Sequence, residues 1–447
     1  MSFTPGKLHD AIRDCSEDLP WPPACFWVAF SGGMDSHVLL HAMATCRKEL
    51  NVDLRAVHVD HGLQTESQQW LSHCQIVCDE LDISLTMLKV DATAARGESP
   101  EAAARNARYQ AFADLIGEAE VVLTAQHCRD QAETLFLQLL RGAGPRGLSA
   151  MPRMAQLGKG HLCRPLLPVS FQALQDYAAA QNLHWIDDPS NQERRFDRNM
   201  LRHDVLPRLR ERWPALDTTV SRVAAQHAEA QQLLLELAEQ DSDGLLDANG
   251  SLAMPGLMAL SLPRQRNVLR HWLSQQGMHL PSARQLVQLQ RDMFNAAVDR
   301  NPCISWQGVE VRRYRDRLYA MHPLAEVDNS LCLDWQPGKT LTLPCLAGTL
   351  LSRPVIGSGL FLGDHVDNPM ELRFRHGGEN CRPHGKSHHT SLKKLFQKAG
   401  IPPWQRSRMP LIYVDNELAA IPGLCICEPF AATGDMAGFE LDWQPGK

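Results

Sequence analysis

The stretch Cys25-Phe26-Trp27-Val28-Ala29-Phe30-Ser31-Gly32-Gly33-Met34-Asp35-Ser36-His37-Val38-Leu39-Leu40 decides the fold of this chain. An apolar run, a polar glycine turn and a second apolar run predict a strand, a tight turn and a helix start. Backbone N–H groups converge at such a turn, and the helix N-terminus adds partial positive charge. Paired glycines let a ligand approach without meeting a Cβ. The Ser31 and Ser36 hydroxyls are further donors, and Asp35 is a candidate magnesium ligand. The stretch ends in neither Gly-Lys-Ser/Thr nor Gly-x-Gly-x-x-Gly, so it is neither a Walker loop nor a dinucleotide fingerprint. It reads as a phosphate cradle of another kind, contacting its ligand through Ser31, Gly32, Gly33, Met34, Asp35 and Ser36.

Outward from that loop, the first ~190 residues alternate strand and helix patterns, which predicts an α/β, Rossmann-like parallel sheet. Strands are expected at 54–59, 84–90 and 121–125. Helices are expected up to Leu50, over 65–81, over 101–116 and over 130–141. Ligands of such a sheet sit beyond the carboxyl ends of its strands. The glycine loop, His58-Val59-Asp60-His61 and Gln126-His127-Cys128-Arg129-Asp130 all fall at strand ends, so the fold class predicts that they converge. His58 is a candidate nucleotide contact, although a histidine beside a buried strand reads equally well as structural.

Asp130 and Glu133 share a face at the start of their helix, where Asp130 also reads as an N-cap with Glu133 reciprocating. Arg105 and Arg108 share a face of the helix over 101–116, with Glu101 as an i,i+4 partner for Arg105. Arg195, Arg198 and Arg202 fall on one face if residues 194–212 are helical. Such a stripe suits phosphate or substrate contacts, or a salt-bridged surface.

A chain of 447 residues is too long for one ordinary core. The pattern divides it at 1–215, a catalytic α/β domain; 216–326, a small helical domain; and 327–447, a small α+β domain. The last carries the densest basic tract, from Arg373 to Lys398 with Lys393 and Lys394 in it, and Trp404 close behind. Basic groups with an aromatic suit RNA. The net charge of −6 leaves such local patches open. The heptapeptide Leu-Asp-Trp-Gln-Pro-Gly-Lys occurs at Leu333–Lys339 and again at Leu441–Lys447. The N-terminus has no apolar leader and no stretch is long enough to span a bilayer, so a cytoplasmic protein without membrane attachment is expected. Thirteen cysteines without any Cys-x-x-Cys suggest reduced thiols and argue against a cysteine metal site.

Taken together, the motifs resemble a known family. The glycine loop resembles the SGGxDS loop of the N-type ATP pyrophosphatases. SGGMDS, His58-Val59-Asp60-His61-Gly62-Leu63, HCRDQAET with LLRGAGPRGL, Arg164-Pro165-Leu166-Leu167, Asp187-Asp188-Pro189-Ser190-Asn191 and Arg198-Asn199-x-Leu201-Arg202 occur in the order seen in the tRNA(Ile)-lysidine synthetases. The resemblance returns in Lys393-Lys394-Leu395 and Gly400-Ile401-Pro402-Pro403-Trp404-Gln405-Arg406. Asp60 stands where many members have a second histidine, and Cys128-Arg129 fill variable positions.

The resemblance implies an ATP- and Mg2+-dependent ligase that joins the ε-amino group of free L-lysine to C2 of a wobble cytidine. The partner is tRNA(Ile) with a CAU anticodon, the intermediate an adenylated cytidine, and the products include AMP and pyrophosphate. It implies catalytic roles for Asp35, Asp130, Glu133 and Arg105, with Asp35 on the metal. Substrate contacts fall to Asp130, Glu133, Arg195, Arg198, Arg202, Lys393 and Lys394, the division of labour between the two carboxylates being open. Alternatives are another enzyme of the same loop class, such as a tRNA sulfur-transfer or amide-forming enzyme, or a tRNA-binding protein with a vestigial ATP site. Missing Cys-x-x-Cys speaks against sulfur transfer, and three costly carboxylates speak against a dead site. A homodimer stays open.

Overall fold

The computed structural model describes every residue except Met1, Asp18, 61–66, 95–98, 188–193, 298–299, 346, 364–369 and Lys447. The side chains of Ser67, Gln68, Pro100 and Glu101 are likewise outside the described set. The expectations placed on His61-Gly62-Leu63, Asp188-Pro189-Ser190-Asn191 and the Glu101 side chain therefore lie outside the described residues. The chain divides into two compact units, Met1–Leu237 and Ala238–Lys447.

In the first unit the elements run α1 Pro5–Glu17, β1 Cys25–Ala29, α2 Met34–Leu50, β2 Asp53–Asp60, α3 Ser67–Glu80, β3 Ser84–Lys89 and α4 Pro100–Leu115. They continue with β4 Glu120–Leu123, α5 Cys128–Leu140, α6 Pro145–Leu148, β5 Met154–Leu157, β6 Gly160–Cys163 and α7 Phe171–Ala180. The sheet order is β3-β2-β1-β4-β6-β5, parallel except for the β5–β6 pair. This is the expected α/β fold. The continuous apolar run of β1 follows from burial on both faces. Alternate residues serve opposite layers. Phe26 and Val28 join Leu39, Met43 and Leu174, whereas Cys25 and Trp27 join Phe112, Ile116 and Leu162. The strand order reverses at β1, with β2 on one side and β4 on the other. A crevice therefore opens beyond the carboxyl ends of β1 and β4, where ligands of this architecture sit.

The second unit departs from the sequence reading in one respect. Helices Leu262–Gln275 and Ala283–Phe294 form as expected, but residues 303–321 fold as antiparallel strands. Cys303–Trp306, Val309–Tyr314 and Arg317–Met321, with Leu252–Ala253, make a four-stranded sheet against those helices. The Val309, Val311 alternation is a strand signal, but Arg313, standing where the next apolar residue belongs, obscures it. A stretch read as helical is thus α+β.

Toward the C-terminus, a five-stranded and a three-stranded antiparallel sheet enclose one core around Trp335, Leu350, Leu372 and Ile412. The heptapeptide copies lie on edge strands of these two sheets, Cys332–Asp334 and Ala437–Gln444. Trp335 is buried in the shared core, and Trp443 packs against it while its indole N–H donates to Ala347 O at 2.9 Å. Each copy brings a tryptophan to the same core from a different sheet.

Candidate active site

The loop after β1 has two distinct glycines. Gly32 has φ of +84°, a left-handed conformation that other residues adopt only with strain, and a Cβ there would lie 3.2 Å from Cys74 Sγ. Gly33 has φ of −81°, and its Cβ would meet only Ser31 Oγ at 3.5 Å. Only Gly32 is demanded by the backbone; the bare Cα of Gly33 leaves room in front of the loop. The Ser36 hydroxyl donates to Gly33 O at 2.9 Å and accepts from the Ser31 N–H at 3.2 Å, while Ser31 Oγ lies 3.1 Å from Ser36 Oγ. Met34 and Asp35 open α2, so the first-turn N–H groups of a 17-residue helix point at the same place.

Across the crevice, α5 starts earlier than its sequence suggests. His127, not Asp130, is the N-cap: its Nδ1 accepts from the Arg129 N–H at 3.2 Å. Asp130 takes the reciprocal place, accepting the His127 N–H at 3.1 Å. The cap read at Asp130–Glu133 is thus shifted by three residues, and Glu133 has no capping duty.

His127 is buried, and its Nε2 lies 3.5 Å from Asp35 Oδ2 and 3.4 Å from Asp130 Oδ2. It ties the loop after β1 to the helix after β4. Burial opposes a charge on this ring, but the Asp130 and Asp35 carboxylates outweigh it and raise the pKa to about 10. The Nδ1 contact belongs to the neutral ring; a doubly protonated His127 would lose it and hold both carboxylates. Asp35 Oδ1 is buried without a hydrogen-bond partner among the described residues. An unpaired buried carboxylate oxygen beside a phosphate-type cradle suits a hard divalent cation, which takes one or two carboxylates and substrate phosphates.

Glu133, with a side chain only 1% exposed, receives Arg198 Nε at 2.8 Å and Arg202 Nε and Nη2 at 2.6 and 2.8 Å. Asp130 Oδ1 meets the same guanidiniums at 3.3 and 3.2 Å. The carboxylates hold both arginines charged, raising their pKa values against the cost of burial. Arg198 lies in the short helix Asp197–Met200 and Arg202 in a π-helical turn, Leu201–Val205, where the Leu206 N–H reaches back to Leu201 O. Pro207 lacks the N–H that a regular helix would use at this point, which accommodates the wider turn. Arg195 precedes the helix and stacks 4.8 Å over Phe196, so the expected three-arginine stripe is two arginines.

Arg105 donates to the Tyr109 hydroxyl at 3.3 Å, which also accepts from Arg164 at 3.4 Å. Burial resists ionisation of this phenol, yet the surrounding arginines lower its pKa. Arg108 is half-buried, and burial together with repulsion from Arg105 and Arg198 lowers its pKa. His58 is buried with Nδ1 donating to Phe30 O at 2.9 Å, so one nitrogen is committed to holding the end of β1.

In the second unit, Lys393 and Lys394 are exposed on the helix Leu392–Lys398. Arg373 and Arg375 are engaged with Glu371 and Glu379. Trp404 is buried against Tyr314 and Tyr319, ring centroids 6.3 and 5.4 Å away, with Arg312 over its face. The aromatic that follows the basic tract in sequence is thus a packing residue.

Curated relatives match this sequence over all or nearly all of its length. A tRNA(Ile)-lysidine synthase of Coxiella burnetii is 43% identical over 445 residues, 100% of this chain and 98% of the relative. The chain belongs to the tRNA(Ile)-lysidine synthase family. Synthases of Methylococcus capsulatus (39% identity, 95% of this chain and 97% of the relative) and Serratia proteamaculans (41%, 93% and 95%) agree. Within the lysidine synthase framework, a PP-loop domain matches residues 8–209, a substrate-binding domain 252–319 and a substrate C-terminal domain 370–443. The PP-loop match implies use of ATP.

The structure brings together Asp35, Asp130, Glu133, Arg198 and Arg202, whereas Arg105 is engaged with Tyr109. His127, Tyr109 and Arg164 were not singled out as site residues from sequence. His127 stood in the quoted strand end, and its place just before the first helical residue was the available signal.

Proposed function

We propose that this chain joins the ε-amino group of free lysine to C2 of the wobble cytidine of a CAU-anticodon tRNA(Ile). ATP first adenylates O2 of that base, releasing pyrophosphate, and AMP leaves when lysine attacks. The convergence of Asp35 with Asp130 and Glu133 beyond β1 and β4 carries this reading, and the full-length relatives support it.

A cytosine O2 is a poor leaving group until it carries AMP. The first step needs an in-line approach to the α-phosphate with pyrophosphate held by fixed donors. Loop N–H groups and the Ser31 and Ser36 hydroxyls are those donors, and Arg105 is the candidate to offset phosphate charge. Magnesium held by Asp35 would neutralise phosphate oxygens. The second step needs a carboxylate that orients the lysine ammonium and accepts its proton. Asp130 and Glu133 already bind cationic N–H donors, the guanidiniums of Arg198 and Arg202. A triphosphate draws those guanidiniums toward itself and opens the carboxylates to the ammonium. That exchange puts ATP before lysine.

The division of the chain at 1–215, 216–326 and 327–447 belongs to this proposal, with Lys393 and Lys394 as tRNA backbone contacts and the cytoplasm as the place of action. No helix among the described residues is long and apolar enough to cross a membrane. The test is transfer of radiolabelled lysine to a CAU-anticodon tRNA(Ile) transcript, with ATP and magnesium, beside a tRNA(Met) control. Label in the isoleucine tRNA alone is expected. Pyrophosphate release without label would redirect the reading to another nucleophile, and neither product from folded protein would overturn it.

A further inference from the structure

A second cluster of ligating side chains lies far along the chain. Cys381, Cys425 and Cys427 place their sulfurs within 4.8 Å of one another, the sole such group of three His, Cys, Asp or Glu ligands among the described residues. Cys381 ends the short strand Asn380–Cys381, and Cys425 lies in the strand Cys425–Ile426. Backbone bonds from Glu428 N to Arg382 O at 2.8 Å and from His384 N to Ile426 O at 2.9 Å stitch the two segments together. Cys427 N is fixed to Ala419 O at 2.8 Å. The cluster is therefore set by the sheet and not by chance rotamers.

We propose that Cys381, Cys425 and Cys427 bind a zinc ion. Three sulfurs on tetrahedral zinc at about 2.3 Å stand about 3.8 Å apart, which the separations here, all within 4.8 Å, accommodate. Soft thiolates select zinc, copper(I) or iron–sulfur clusters, and a cluster normally wants four cysteines. Cys381 and Cys427 are buried while Cys425 is half-buried, which gives the ion an entry side. His389, exposed and one residue before the Thr390 that pairs with Cys381, is the imidazole available for the fourth position. Binding forms three Zn–S bonds and releases three thiol protons to solvent. The Cys-x-Cys spacing and the distance to Cys381 in sequence hid the site from a search for Cys-x-x-Cys. It is independent of the ligase reading, and it would staple the strands of this part of the chain.

The test uses the full chain, reduced and stripped with chelator, then titrated with cobalt(II) and separately reloaded with zinc for elemental analysis. A thiolate-to-cobalt charge-transfer band saturating at one ion per chain, and one zinc per chain, are expected. Cys381→Ser should lose the band while Cys303→Ser and Cys345→Ser, both at exposed positions, keep it. Absence of the band in the unmodified protein, or its survival in Cys381→Ser, overturns the proposal. Should that variant fail to fold, thiol labelling of the unmodified protein decides: zinc must protect three thiols and chelator must release them. Equal labelling with and without zinc, or a disulfide among the three in the purified chain, also overturns it.

Discussion

Arg202 grips Glu133 with two nitrogens, Nε at 2.6 Å and Nη2 at 2.8 Å, on a carboxylate that is almost sealed from solvent. Such a pair is held by geometry as much as by charge, since a guanidinium fork matches both oxygens and a lysine ammonium does not. Arg202→Ala leaves Glu133 with Arg198 as its remaining charge partner. The expected cost is about 2–3 kcal/mol of stability, below the full penalty for stranding a buried charge because Arg198 persists. Arg202→Lys should recover only part of it. Urea unfolding of the three proteins checks this, and equal midpoints would show that the ion cluster is not structural.

The two loop glycines separate backbone demand from ligand demand. Gly32→Ala forces a Cβ onto a residue at φ +84° and brings it to 3.2 Å from Cys74 Sγ. A destabilisation of about 1–2 kcal/mol is expected. Gly33→Ala meets no such obstacle, so stability should change by less than about 0.5 kcal/mol. Its Cβ would stand where the proposal puts the nucleotide, so the KM for ATP should rise while the melting temperature holds. Thermal melts beside ATP kinetics resolve the pair; a Gly33→Ala enzyme with unchanged KM would move the nucleotide off this loop.

The sheet was legible because β1 and β4 are short unbroken apolar runs ending in polar turns, and nothing but buried parallel strands fits that pattern beside intervening helices. The strands over 303–321 were not legible, because Arg313 interrupts an alternation that tertiary packing nevertheless satisfies. Arg313 is buried by donating to Met293 O and Ala296 O at the end of a helix, a partner no local pattern displays. The same limit applied to the site. Spacing placed Asp130 and Glu133 on one helix face, but only the fold could show that Arg198 and Arg202 cross to them from 65 or more residues away. Trp404 misled for the opposite reason: an aromatic next to a basic tract is RNA-like in sequence, and here its neighbours are Tyr314 and Tyr319.

Asp35 carries a buried oxygen with no hydrogen-bond partner among the described residues, which is a stability cost unless a cation uses it. Asp35→Asn removes the charge while keeping the shape. ATP-dependent turnover should fall by about 10²–10³-fold or more, the scale for losing one transition-state charge contact. Binding of tRNA should be unaffected, while folding stability should fall modestly, because His127 loses one of the two carboxylates that hold its charge. Pyrophosphate release and a filter-binding titration check both halves, and a parallel loss of tRNA affinity would place Asp35 outside the nucleotide chemistry.

Lys393 and Lys394 stand exposed on the helix Leu392–Lys398, whose apolar side buries Leu392 and Phe396. Their ammonium groups are thus presented by a packed element rather than a loose tail, and neither supports the fold. If they contact phosphates, each lost contact releases one fewer set of counterions. The slope of log affinity against log salt should then become shallower by about 0.9 per contact for duplex-like RNA, or about 1.8 for Lys393→Ala with Lys394→Ala. Weakening should be similar for any tRNA, because phosphate contacts position an RNA without reading its bases. Titrations of tRNA(Ile) and an unrelated tRNA at several salt concentrations decide it: an unchanged slope removes this helix from the RNA footprint, and a loss confined to tRNA(Ile) would assign it a base-reading role instead.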